Sequence, residues 1–326
     1  MNGEIFYWVL NMSIAGTVVG GVVWLLQRML RLSKRLTFVL WFVPLVRLWL
    51  PFGAESKYSL MGLIRKVTVR PVEYMEQLQS EQYFTPFWAE MSMMNTIGAA
   101  ESYFPIVYKQ NVYRTIFGTA EAIWLIVALA AVLAGVAIYL STAAELKSAK
   151  RIRDRVYRSD KVTSPMVFGV IRPRILLPEI PAIGAAGELT EVSGAEDEQS
   201  YVLLHEQTHI RRMDNLWRMI AVLTCCLHWF NPLIWLFLKQ FLADMELACD
   251  EKVISICGEE KRKEYASALL DYEEQKTLFA SAFGGAGIRV RIKEILSYRR
   301  LTVISAIGFL VLLAVIVITL LTNAAG

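Results

Sequence analysis

Histidine is almost missing: three occur in 326 residues, His205, His209 and His228. Any imidazole-based site must be drawn from that set, and two of its members stand four residues apart. Cysteine is scarce as well, four in 37.0 kDa, which excludes the disulfide framework of a small secreted domain. Charged residues make up 20% of the chain and the formal net charge is +4. So small an excess excludes direct nucleic-acid binding as the expected role of a protein this size. What stands in place of charge is apolar: 55% of residues are hydrophobic, against about 45–50% in an ordinary globular chain, which excludes intrinsic disorder.

The apolar residues fall in blocks. Ile5 to Leu26 carries no charge and is long enough to cross a hydrocarbon core of about 30 Å as a helix. No basic segment precedes it, so it does not read as a signal peptide. Leu36 to Leu50 is shorter and holds Pro44 and Arg47, whereas Ile123 to Leu140 and Leu301 to Leu321 are again free of charge. The expected fold is therefore a mainly α membrane protein with four transmembrane helices.

Lysine and arginine give the orientation. Arg28, Arg31, Lys34 and Arg35 lie between the first two spans with no acid among them. Lys147, Lys150, Arg151, Arg153, Arg155, Arg158 and Lys161 follow the third, and Arg289, Arg291, Lys293, Arg299 and Arg300 precede the fourth. Residues 53–119 carry basic and acidic side chains in equal number, and nothing after Arg300 is charged. Both termini are thus expected outside the cell membrane and residues 141–300 in the cytosol, a reducing compartment that suits free thiols. The parts are a helix pair (1–52), an extracytoplasmic loop (53–119), a third span (120–140), a cytosolic α+β domain (141–300) and a fourth span (301–322). The outer loop reads as amphipathic surface helices, with Tyr83, Phe84 and Trp88 as interfacial anchors.

Within the cytosolic part, Ala143 to Arg158 reads as a basic helix. Ser164 to Pro178 reads as short strands with turns at Gly169 and Pro173, and Ala182 to Glu198 as a loop. A helix is predicted from Gln199 to Met213, and it contains His205-Glu206-Gln207-Thr208-His209. Positions i and i+4 lie about 40° apart on a helix, so both imidazoles can reach one ion. A catalytic Zn²⁺ needs three protein ligands and a place for water, and Glu206 is placed to take that water's proton, as in metalloproteases. The best third ligand is Glu246, which shares a helix face with Asp250; one can bind zinc while the other orients an imidazole. His228 is the rival ligand, though its apolar neighbours favour a packing role. Cys249 reads as a small buried hydrophobe. Residues 216–242 are nearly all apolar and broken at Asn231-Pro232. They are expected to form a helical hairpin that dips into the inner leaflet or packs on the spans, holding the site at the membrane.

With these residues on the page, the chain resembles the BlaR/MecR-type regulatory membrane metallopeptidases. The resemblance rests on His205 to His209, on Trp229-Phe-Asn-Pro-Leu-Ile-Trp235, on Glu246-Leu-Ala-Cys-Asp250, on Ser164 to Pro178, and on Arg291-Ile292. It implies zinc held by His205, His209 and Glu246, Glu206 as general base and Asp250 as the partner of a ligand. It also implies a protease that cleaves a cytosolic transcriptional repressor and itself, the latter near Ser281 to Gly287. Family receptors carry a penicillin-binding sensor after the fourth span. This sequence runs to Gly326 and contains no Ser-x-x-Lys, so that acylation motif is missing; three readings stay open, a lost sensor, a truncated chain, or sensing by the outer loop, residues 53–119. The expected partners are the lipid bilayer, a cytosolic protein such as a DNA-binding repressor, and a second copy of the chain. Two other readings stay open: a constitutive quality-control protease of the membrane, and a non-catalytic sensor or scaffold with structural zinc.

Overall fold

A computed structural model describes residues 4–30, 32–50, 55–60, 62, 111–179, 195–273, 287–298, 300 and 302–324. The expected surface helices of the outer loop and the segment 281–286 lie outside the described residues.

Helix α1 (Glu4–Met29) is the first apolar block. Gly16 and Gly20 sit on its packed face. A Cβ at Gly16 would meet Leu48 at 2.4 Å, and one at Gly20 would meet Phe237 at 2.4 Å, so glycine is what lets the helices touch. The second apolar block is two short helices, α2 (Lys34–Leu40) and α3 (Phe42–Trp49), rather than one. Pro44 has no N–H for the Leu40 carbonyl, so the helix cannot run through Trp41. The Trp41 N–H instead donates one residue short, to the Phe38 carbonyl at 3.2 Å.

Helix α4 (Asn111–Glu145) overshoots the expected third span at both ends; its 35 residues extend about 52 Å. A single 3₁₀ turn, Leu146–Ser148, then leads into strands. The basic helix expected over Ala143 to Arg158 is corrected here: beyond Glu145 the chain forms β2 (Lys150–Arg153) and β3 (Val156–Ser159). The reason is burial. As strand, the chain buries Val156 opposite Ile175, and Leu146, Val162 and Leu176 form one cluster, while all of β2, an edge strand, stays exposed with its arginines in water. The sheet is completed by β4 (Met166–Phe168) and β5 (Arg174–Pro178), in the order β2-β3-β5-β4 with β3 and β5 parallel. The turn expected at Gly169 is there, at φ +100, a conformation that favours glycine.

Helix α5 (Ala195–Arg212) starts before the predicted Gln199 and takes in the end of the expected loop. Then come α6 (Asp214–Leu227) and α7 (Pro232–Cys257), the two arms of the expected hairpin. Asn231 caps α7 by accepting the Leu233 N–H at 3.0 Å, with Pro232 in the first helical position. Its amide also donates to Ser13 and Thr17 of α1, 2.8 Å each, so the hairpin packs on the other helices well along α1. Helices α8 (Arg262–Glu273), α9 (Ile288–Leu296) and α10 (Val303–Leu320) follow. A two-residue parallel pairing of β1 (Glu55–Ser56) with β6 (Asn323–Ala324) joins the exits of α3 and α10.

Among the described residues, three helices are long and apolar enough to cross a membrane: Ile5–Met29, Thr115–Ser148 and Val303–Leu320. The last two turn large apolar side chains outward, such as Ile126 and Ile304, as a lipid-facing surface requires.

Candidate metal centre

At its opposite end from β1 and β6, the bundle carries the histidine helix. His205 and His209 project from consecutive turns of α5, and α7 brings Glu246 against them. The three side chains converge on one point. The two Nε2 atoms are 3.0 Å apart, and Glu246 Oε2 lies 3.6 Å from each. A tetrahedral ion with bonds of about 2.0–2.1 Å separates its ligands by about 3.3–3.4 Å. The triangle therefore fits zinc as it stands.

The outward nitrogens are also accounted for. His209 Nδ1 sits 2.6 Å from Asp214 Oδ2, and Asp214 is fully buried. His205 Nδ1 lies 2.8 Å from the Tyr265 hydroxyl, which in turn donates to Asp250 Oδ1 at 2.6 Å. Asp250 Oδ1 is itself 3.2 Å from the same ring nitrogen. Acceptors on both Nδ1 atoms fix the Nδ1–H tautomers and leave both Nε2 lone pairs aimed at the shared point. Arg291, from α9, closes the shell. Its Nε and Nη2 donate to the two oxygens of Asp250 at 2.8 and 2.7 Å, and its Nη1 is 3.9 Å from Glu246 Oε2. On the other side Arg218 donates to Glu246 Oε1 at 3.3 Å.

Charge follows this geometry. Burial opposes a charged ring at His205 and His209, yet both are raised well above the ordinary histidine value by Cys249, Glu246 and the carboxylates at their Nδ1 atoms. Burial likewise opposes ionisation of Glu246 and Asp250, but the imidazoles and Arg291 hold both below the usual carboxylate range.

Glu206 is buried on α5, next to His205 in sequence and about 60° around the helix from His209. His228 is not in the cluster. It is buried at the hairpin tip with Nε2 donating to the Leu48 carbonyl at 3.2 Å, about 20 Å along α7 from Glu246. Cys249 is nearer than a mere packing residue need be: its Sγ and a ring nitrogen from each of His205 and His209 all lie within 4.8 Å of one another, so the three could hold an ion. The thiol donates to the His205 carbonyl at 3.5 Å.

The sequence alone assigns no site role to Asp214 or Tyr265, and it offers Arg291 only as an orienting charge and as part of a resemblance. For Asp214 the signal was an acid directly after the histidine helix. Met213, at φ 56, reverses the chain there and turns Asp214 back onto His209. Tyr265 left no comparable signal in the sequence.

Two imidazoles from one helix and a carboxylate from a second, around one buried point, are the donor set of a metallopeptidase. The chain belongs to the BlaR1 peptidase M56 family, whose model matches residues 7–304. It is 32% identical over 138 residues to the regulatory protein BlaR1 of Bacillus licheniformis, covering 42% of this chain and 21% of that protein. It is 27% identical over 112 residues to the methicillin resistance mecR1 proteins of Staphylococcus aureus and Staphylococcus epidermidis, covering 34% of this chain and 18% of each. The matches thus span about a fifth of the length of these curated relatives.

Proposed function

We propose that this chain is an integral membrane zinc endopeptidase that cleaves a cytosolic protein, a transcriptional repressor in particular, in signal transduction. The observation that carries the reading is the triangle of His205, His209 and Glu246, with both Nδ1 atoms held from behind. Bound zinc would supply polarisation of the scissile carbonyl and acidification of a water. Glu206 then takes the water's proton and returns it to the leaving amine nitrogen, while Asp214 and the Tyr265–Asp250 pair keep the rings in register. The names of the relatives, a regulatory protein and two resistance proteins, favour a signalling role over constitutive turnover. An extended substrate can pair with β4, an edge strand tied to the site by Asn215, whose amide donates to the Val167 and Gly169 carbonyls.

Four passes, with both termini outside and the site in the cytosol, remain the favoured layout, the broken pair α2 and α3 making the second. The support is positional: Ser33, Lys34 and Arg35 at the start of α2 clamp Glu251 beside the site, while α3 and α10 exit together at the other end.

Cys249 favours a second reading, a structural zinc closed by a fourth protein ligand. One experiment separates the two. Full-length protein purified from membranes should hold one zinc per chain, and Glu206→Gln should keep the zinc while losing cleavage of the repressor and of itself, read by mass spectrometry. Cys249→Ser should keep zinc at an open catalytic site and lose it at a closed one. Cleavage that survives Glu206→Gln would sink the peptidase reading.

A further inference from the structure

Arg291 is a cation with almost no access to water; its side chain is 8% exposed. It belongs neither to the histidine helix nor to the acidic helix. It comes from α9, the short helix leading into the last apolar helix, and the segment between those two is pinned by Arg262, which donates to the Leu296 and Tyr298 carbonyls at 3.3 and 3.2 Å. A buried guanidinium is costly unless both its charge and its N–H groups are matched. Here they are matched by the one carboxylate that also anchors Tyr265 and, through it, His205. The same guanidinium lies 3.3 Å from His205 Nε2, the nitrogen that faces the ion.

We infer that Arg291 is a positioning residue of the metal centre. Its planar fork holds both oxygens of Asp250 in one orientation, and that orientation sets the Tyr265 hydroxyl and the His205 ring. Nearby cations do not share the role: Arg289, two residues away on the same helix, is exposed. Lysine cannot replace the fork, because an ammonium reaches the carboxylate as a point charge without the paired, planar contact. The inference rests on the metal-centre reading above and deepens it.

The test uses full-length protein in detergent, with zinc affinity measured by chelator competition and the visible spectrum of the cobalt-substituted form as a report on ligand geometry. Arg291→Gln is expected to weaken zinc binding 10- to 100-fold and to alter the cobalt spectrum. Arg291→Lys should recover part of the affinity but not the parental spectrum, and Arg289→Gln should match the parent in both. An Arg291→Gln protein with parental affinity and spectrum overturns the inference while leaving the metal site intact. Should Arg291→Gln fail to fold, Arg291→Lys decides alone, and a parental result there overturns it equally. A parent chain that binds no zinc would instead overturn the metal reading itself.

Discussion

In the proposed metal centre, protons and a metal ion would compete for the same two nitrogens at His205 and His209. In the metal-free fold both rings hold protons to a higher pH than the roughly 6.5 of a free imidazole, because Cys249, Glu246 and the flanking carboxylates outweigh burial. A raised folded pKa stabilises the metal-free protein at low pH, and that contribution fades as pH rises through the folded value. Zinc binding runs the other way: apparent affinity should climb with pH through neutrality, and each ion bound should release protons. Calorimetry in two buffers of different protonation enthalpy checks this; an affinity flat between pH 6 and 8 with no proton release would contradict it. The residues proposed to hold the ion could be picked out in the sequence because their spacing is a helical one, four apart on α5, with an acid pair four apart on α7. The residues behind them were not legible, because Asp214, Tyr265 and Arg291 arrive from three different elements and no local period links them to the motif.

Elements were readable wherever one pattern dominated, and misread where two competed. The charge-free blocks of α1 and α10 admit one reading. The helix expected over Ala143 to Arg158 gives way to strands beyond Glu145: its many arginines suit a solvated helix face, whereas pairing into a sheet buries Val156 opposite Ile175. Pro44 could be seen in advance, yet its effect, splitting one span into α2 and α3, depends on Trp41 finding partners. The Trp41 indole donates to Asp244 at 2.7 Å, and its ring meets Phe237 with centroids 5.7 Å apart. The hairpin turn is the most exposed to test. Asn231→Ala removes a helix cap and two hydrogen bonds to α1, and should cost about 2 kcal/mol. Thermal unfolding in detergent reads the loss, and an unchanged midpoint would show that Asn231 does not hold the hairpin to α1.

On the scale of the whole molecule, the described residues have a metal-site end and an end where α3 and α10 leave together. Lys34 pairs with Glu294 at 3.3 Å and Arg35 with Glu251 at 3.1 Å, so the start of α2, the acidic helix α7 and α9 are bound together at the first end. Single cysteines placed at Ser56 and at Ser148, with partly exposed Cys257 changed to serine, test the orientation proposed above. A membrane-impermeant maleimide should label the first in whole cells and the second only in opened ones; the reverse pattern would invert the topology. The hairpin of α6 and α7 carries a practical consequence for anyone wishing to isolate the candidate metal centre. Asp214 stands at the foot of one arm and Glu246 near the foot of the other, while the apolar length between them is clothed by α1, α2, α3 and α4. A fragment of residues 141–300 would strip that clothing and leave bare the greasy faces that hold the two acids in place. Such a fragment should come out of solution as aggregate, and an intact site should be had only with the apolar helices attached.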